Sequence, residues 1–154
     1  MAIEFERRGA VPEAPFVEAI VGAIDGGAYL GANLGLYPSG PTATAGAEIG
    51  YNFVPSDNIL LGVEGSGLFF LKGGGGNEFW VHAKAGMTMS NFALYGIAGI
   101  GEFDFGTNYL WDVGLGAELA LNSNWSINRE VVGRSLVGSP PTVPHLQMGV
   151  RYDF

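Results

Sequence analysis

The last ten residues, His145-Leu-Gln-Met-Gly-Val-Arg-Tyr-Asp-Phe154, decide the fold because their polarity alternates at every position. Counted back from the end, every second residue is apolar: Phe154, Tyr152, Val150, Met148 and Leu146. The residues between them are polar or glycine. Successive side chains of an extended chain point to opposite faces, so a period of two predicts a β-strand with one apolar face.

Length and composition predict a single folded domain. The chain has 154 residues, of which 47% are hydrophobic and 14% charged, a balance opposite to that of disordered chains. The net charge of −8 argues against a nucleic-acid partner, because phosphates must be neutralised by basic side chains. The absence of cysteine excludes disulfides and thiolate metal sites.

Seven further segments show alternation and are separated by turn-forming residues. We predict strands at 27–37, 43–53, 59–70, 78–89, 92–105 and 109–121, and from Trp125 to about Val137, followed by the terminal strand. Short alternating segments of this kind are typical of membrane-spanning barrels. The predicted fold is therefore all-β, an eight-stranded antiparallel up-and-down transmembrane barrel over residues 27–154.

The two faces of the predicted strands differ in character. One face is apolar; the other holds a few charges and many glycines, among them Gly31, Gly46 and Gly114. Glycine weakens a strand unless space is short, so we assign the glycine-rich face to a narrow interior. The apolar face is then expected to contact lipid.

Two positions leave the face assignment open. In the fifth strand Tyr95 and Ile97 alternate with Gly96 and Ala98, so either face can be the apolar one. Arg129 falls on the apolar face by strict alternation, where a charge near the membrane midplane costs about 2–4 kcal/mol. A bulge, snorkelling of the side chain, or a register shifted by one residue would each account for it.

Short stretches of the chain resemble, in order, the opacity-protein and porin-like barrels of outer-membrane protein A type. The stretches are Gly27-Ala-Tyr-Leu-Gly-Ala-Asn-Leu-Gly35, Gly46-Ala-Glu-Ile-Gly-Tyr-Asn-Phe53, Leu61-Gly-Val-Glu-Gly65, Leu94-Tyr-Gly-Ile-Ala-Gly99, Gly114-Leu-Gly-Ala-Glu-Leu119 and Trp125-Ser-Ile-Asn-Arg-Glu130. The resemblance implies a place in the outer membrane of a Gram-negative bacterium and a structural or passive role. Such a role covers membrane anchoring, envelope integrity, or a narrow or closed channel.

The same resemblance implies partners. It predicts contact with outer-membrane lipids and lipopolysaccharide, and recognition of the terminal aromatic residues Tyr152 and Phe154 by the barrel assembly machinery. No secretory signal is recognisable in this chain, since Pro12, Pro15 and nearby glutamates interrupt its first apolar stretch. We take the signal to have been removed or replaced.

Residues 1–26 do not alternate and are predicted to form an N-terminal leader or strap. Two alternatives to a free-standing membrane barrel stay open. The barrel is a subunit of a larger envelope assembly, with residues 1–26 binding an envelope protein, or it is a soluble lipocalin-like barrel whose apolar face lines a ligand cavity.

Charged residues on the predicted inner face are expected to form a network. They are Glu48, Glu64, Lys84, Glu118, Glu130 and Arg151, with His82, Asp112 and Asp153 on the same face. Charges in a narrow interior must pair, so we predict salt bridges and hydrogen bonds centred on Lys84 and Arg151. A gated ion or proton path is the alternative.

No catalytic residue, metal site or cofactor is predicted. The two histidines, His82 and His145, are far apart and lack the spacing of a metal site. Two positions after them stand Lys84 and Gln147, so neither has a serine at the spacing used by lipid A deacylase barrels.

Overall fold

The computed structural model describes residues 23–24, 26–56, 58–71, 76–104 and 108–154. Within these residues the chain forms eight strands, as predicted: β1 Gly27–Tyr37, β2 Thr42–Ser56, β3 Ile59–Phe70, β4 Asn77–Met89, β5 Phe92–Phe103, β6 Asn108–Ala120, β7 Trp125–Leu136 and β8 Val143–Asp153. No helix in the described part of the chain is long and apolar enough to cross a membrane.

The eight strands close into an antiparallel up-and-down barrel in which each pairs with its sequence neighbours. The terminal strand β8 pairs with β1, from Tyr29 opposite Asp153 to Leu36 opposite Leu146. This pairing removes both free sheet edges, because every strand then has two neighbours. One end of the barrel carries the C-terminus and the start of β1.

The barrel has its apolar side chains outside and its charged side chains inside. Leu115 on the outer face is 72% exposed, whereas Glu48 and Arg151 in the interior are 1% and 0% exposed. Water-soluble antiparallel barrels have the opposite arrangement. The predicted assignment of the apolar and glycine-rich faces is confirmed for the strands in which the alternation is clear.

The structure also settles the two open positions. In β5 Tyr95 and Ile97 point inward, since both are buried, while Leu94 and Ile100 are exposed on the outer face. Arg129 points outward, and β7 pairs with β6 and β8 in continuous register through this residue. Neither a bulge nor a register error therefore explains the outward arginine.

Three strand ends differ from the prediction by two residues or more. Strand β2 continues to Ser56 past the predicted end at Phe53, with a register shift between these residues. Strand β5 ends at Phe103, and Asp104 follows with a φ of 48° in the left-handed region. Strand β8 begins at Val143, so Pro144, placed by prediction in the last loop, pairs with Gly133.

The predicted N-terminal leader lies largely outside the described residues. Its described end includes Ile24, which is buried against Leu60, Ala93 and Ala120. The Ile24 backbone N–H donates to the carbonyl oxygen of Ser90 at 3.1 Å. The chain therefore approaches β1 by closing over the barrel end that carries the C-terminus.

Candidate functional site

Six of the predicted interior charges meet at one level of the barrel, although they come from six strands. All six are at most 4% exposed: Glu48, Glu64, Lys84, Glu118, Glu130 and Arg151. We call these residues, with Tyr29 and Tyr95, the Arg151 cluster. The alternation places them on one face of their strands, and closure of the barrel brings those faces together.

Arg151 lies at the centre of the cluster and contacts four carboxylates. Its Nε donates to Glu48 Oε1 at 2.5 Å, and its Nη1 donates to Glu118 Oε2 at 2.6 Å. Its Nη2 lies 2.9 Å from Glu64 Oε2 and 3.3 Å from Glu130 Oε1. The planar guanidinium suits this arrangement, because its donors diverge within one plane.

Lys84 provides the second positive charge of the cluster. Its Nζ pairs with Glu64 and lies 3.4 Å from Glu130 Oε1. Two tyrosines add hydrogen bonds to these carboxylates: Tyr29 donates to Glu64 at 2.7 Å, and Tyr95 donates to Glu130 at 2.8 Å. The inward face of β5, ambiguous in the sequence, thus contributes Tyr95 to the cluster.

A second cluster lies towards the barrel end opposite the C-terminus, and the sequence reasoning did not identify its centre. Arg134 Nη1 donates to Glu78 Oε2 at 2.7 Å, and Arg134 Nε to Asp112 Oδ2 at 3.3 Å. Tyr37 donates to Glu78 at 2.8 Å, and the guanidinium lies 4.4 Å from the Trp80 ring centroid. We call these residues, with His82, the Arg134 cluster.

The alternation of inward and outward residues along each strand already indicated that Arg134 and Glu78 face the interior. Arg134 is four residues beyond Glu130 on β7, and Glu78 is four residues before His82 on β4, so each shares the inner face. Both lie near strand ends, where the apolar alternation is weak. The predicted residues His82 and Asp112 belong to this cluster, with 3.1 Å between His82 Nε2 and Asp112 Oδ2.

Among the described residues, buried carboxylates outnumber buried Lys and Arg side chains. The carboxylates are Glu48, Glu64, Glu78, Asp112, Glu118 and Glu130, six in all, against Lys84, Arg134 and Arg151. Several carboxylates share one cation, so each guanidinium or ammonium offsets more than one acidic neighbour. A buried charge without such a partner would be strongly unfavourable.

The histidines lie inside the barrel. His145 is fully buried, and its Nε2 lies 3.2 Å from Thr44 Oγ1, so no serine hydrolase arrangement forms around this atom. No group of three or more His, Asp and Glu in the described part of the chain is placed to hold a metal ion. The non-enzymatic assignment itself stays a prediction.

The predicted assembly residues lie on the outer face beside the C-terminus. The rings of Trp125 and Tyr152 are 5.1 Å apart, and those of Tyr152 and Phe154 are 5.3 Å apart, both edge to face. The Phe154 backbone N–H donates to the Ala28 carbonyl at 3.0 Å, which holds the last residue against β1. These three aromatic side chains lie next to one another at that end.

No protein-family model matches the sequence, and no curated protein matches it. Solved structures do share the fold. The N-terminal β-barrel domain of Pseudomonas aeruginosa OprF aligns with a TM-score of 0.67 at 16% identity, covering 84% of this chain and 98% of that one. Ail, the attachment invasion locus protein of Yersinia pestis, aligns at 0.57 and 18% identity, covering 84% and 97%.

The outer membrane enzyme PagL also aligns, with a TM-score of 0.57 at 11% identity, covering 80% of this chain and 97% of that one. At these identities the likeness concerns the fold alone. Because an enzyme shares the fold, the architecture does not decide between catalytic and non-catalytic roles. The chain has the fold of the small eight-stranded barrels found among outer-membrane proteins.

Proposed function

We propose that this chain is an integral outer-membrane barrel with a structural or passive role. In this role the barrel anchors the chain in the membrane and contributes to envelope integrity. The Arg151 and Arg134 clusters close its lumen, so the protein does not serve as an open pore.

The observation that carries the proposal is the inverted distribution of polarity. Large apolar side chains cover the outer wall, among them Leu34, Ile49, Leu115 and Val131, whereas the charged residues are enclosed. A soluble protein rarely exposes an apolar patch of more than a few hundred Å². Strands of 11 to 15 residues also suffice for an apolar band about 25 Å tall.

The filled interior supports a closed lumen. Arg151 and its four carboxylate partners are all at most 4% exposed, so side chains fill most of the barrel cross-section at that level. The soluble lipocalin-like alternative is not favoured, because it needs an apolar cavity inside the barrel. A gated ion path would need both clusters to open, and a proton path would need proton transfer through their hydrogen bonds.

Outer-membrane location and partners follow from the proposal. Outer-membrane lipids and lipopolysaccharide would cover the apolar wall. The barrel assembly machinery would act on the C-terminal strand with Tyr152 and Phe154.

Fractionation and conductance together test the function. The protein, expressed with an export signal in a Gram-negative host, is expected in the outer-membrane fraction and to migrate differently in gels with and without heating. In planar bilayers it should give no sustained conductance. Recovery from the soluble fraction without detergent would refute the membrane role, and stable open channels would refute the closed lumen.

The structure offers one observation for a second role, as a barrel subunit of a larger envelope assembly. Ile24 is buried in the apolar cluster at the barrel end that carries the C-terminus. Affinity purification of the full chain and of a chain lacking residues 1–22 tests this role. Loss of a co-purifying envelope protein with the deletion would support it, and an unchanged set of partners would exclude docking through residues 1–22.

A further inference from the structure

We infer that Arg129 and the adjoining groove on the outer wall bind an anionic phospholipid through its phosphate. The lipid phosphate pairs with the guanidinium, and an acyl chain lies in the groove. This inference rests on the proposed membrane location and adds a specific ligand site to it.

The groove runs across the seam where β7, β8, β1 and β2 meet. It has a volume of about 450 Å³ and is lined by the apolar side chains of Ala32, Ala45, Ile127, Met148 and Val150, with Arg129 at its edge. Its exposed lining is almost entirely apolar, which suits a hydrocarbon chain. The small side chains of Ala32 and Ala45 form a depression between larger neighbours.

Arg129 is an exposed cation without a protein partner among the residues that the structure describes. Its strand neighbours are Met148 on β8 and Ala117 on β6, neither of which offers a negative charge. The acidic side chains of the Arg151 cluster point into the barrel, on the opposite side of the wall. The charge must therefore be met by something outside the chain.

The depth of Arg129 below the barrel rim limits which chemical groups outside the chain can pair with its charge. It is the fourth residue after Trp125, where β7 begins at the C-terminal end of the barrel. With about 3.3 Å per residue and a tilt near 40°, its Cα lies about 10 Å inside that rim. A long arginine side chain can snorkel from there to the headgroup level.

A phosphate at the headgroup level offsets the charge of Arg129 and lies at a depth that its side chain can reach. Arginine binds phosphate through two parallel N–H donors. A zwitterionic headgroup without net charge offsets the charge of Arg129 less well than an anionic headgroup does. A lipid whose phosphate lies on Arg129 has its acyl chains directed along the adjacent apolar wall. The groove then accommodates one of them.

Native mass spectrometry of the full chain tests the inference. The protein, purified in detergent, is mixed with equimolar phosphatidylglycerol and phosphatidylcholine, and the bound lipids are quantified. A basic residue near an anionic lipid contributes about 1 kcal/mol, so phosphatidylglycerol adducts should exceed phosphatidylcholine adducts about fivefold. Arg129→Val should bring this ratio close to one, and Arg129→Lys should retain part of it.

A variant in which the positive charge is moved to another strand separates binding in the groove from a general charge effect. Val63 is the fourth residue of β3 after Ile59, as Arg129 is of β7 after Trp125, and it is 59% exposed away from the groove. The double variant Arg129→Val with Val63→Arg keeps the net charge and the depth. The inference expects the lipid preference to be lost in this protein.

Three outcomes overturn the inference. The first is a double variant Arg129→Val with Val63→Arg that keeps the fivefold ratio, and the second is a wild-type protein without preference. The third is a cross-linked dimer that Arg129→Val abolishes, which would place a second copy in the groove. If the wild-type protein lacks preference yet shows heat-modifiable migration, the lipid site fails while the membrane role stands. If that migration is also absent, the proposed function fails first.

Discussion

Arg151 on β8 and Glu48 on β2 form an ion pair across the strand between them, with 2.5 Å from Arg151 Nε to Glu48 Oε1. Both residues are register partners of Gly31 on β1, although they are 103 residues apart in sequence. The pair therefore spans the seam at which the two ends of the chain close the barrel. This ion pair thus connects the interior charges with the pairing of β1 and β8 that closes the barrel.

Arg151→Met should strongly destabilise the barrel. The substitution leaves Glu48, Glu64, Glu118 and Glu130 with Lys84 as the nearest remaining cation, and breaking a buried ion pair costs about 3–5 kcal/mol. Urea unfolding in lipid vesicles, followed by tryptophan fluorescence, measures the loss. Glu118→Gln is the matched control, since its amide can still accept from Arg151, and its effect should be clearly smaller. Equal stability of Arg151→Met and wild type would contradict the network.

Gly31 is expected to tolerate no side chain. A Cβ there would lie 2.8 Å from Glu48 Cγ and 3.1 Å from Arg151 Cγ, so Gly31→Ala should cost about 1–3 kcal/mol and Gly31→Val more. At Gly65 the nearest atom to an added Cβ is 4.0 Å away, and Gly65→Ala should leave stability unchanged or raise it by about 0.5–1 kcal/mol. The same urea titration compares them. A neutral Gly31→Val would show that the interior is not packed as described.

Ile24 should stabilise the barrel end that it covers. Its side chain packs against Leu60, Ala93 and Ala120, so Ile24→Ala is expected to lower the free energy of unfolding by about 2 kcal/mol. The exposed neighbour Ala23 provides the control, since Ala23→Ser should have no measurable effect. If both variants unfold at the wild-type urea concentration, Ile24 does not contribute to the fold.

Phe154 should matter for assembly and little for stability. Its side chain is 79% exposed, so Phe154→Ala removes few contacts from the folded barrel. We expect a severalfold smaller heat-modifiable fraction in cells, and an unchanged urea midpoint for the refolded protein. Tyr109→Ala, another exposed outer-face aromatic, should assemble normally. Equal assembly of all three proteins would remove the assigned role of the terminal residue.

The alternation predicted the number of strands, and together with the glycine content it predicted which face of the clearly alternating strands, with the six charged residues of the Arg151 cluster, lies inside. The alternation of one strand can be read without reference to its neighbours. Strand β5 was ambiguous because Gly96 and Ala98 are too small to identify an apolar face, and its orientation is determined by Tyr95 reaching Glu130 on β7.

Contacts between strands that are not neighbours could not be predicted from the alternation within single strands. The approach of Arg134 to Glu78 depends on the closure and stagger of the whole barrel, because β7 and β4 are not neighbours. The extension of β2 to Ser56 likewise depends on its pairing with Ile59 on β3. The outward position of Arg129 was correctly indicated by parity, whereas the groove beside it required four assembled strands.

Spin-label accessibility along β8 tests the inverted barrel most directly. Labels are placed one at a time at Gln147, Met148 and Val150 of the protein in lipid vesicles, and collision with oxygen and with a water-soluble nickel complex is measured. The account predicts that Met148 and Val150 are accessible to oxygen and protected from nickel, and that the inward position 147 is accessible to neither. Nickel accessibility at Met148 and Val150 would place the apolar face in water and contradict a membrane-spanning barrel.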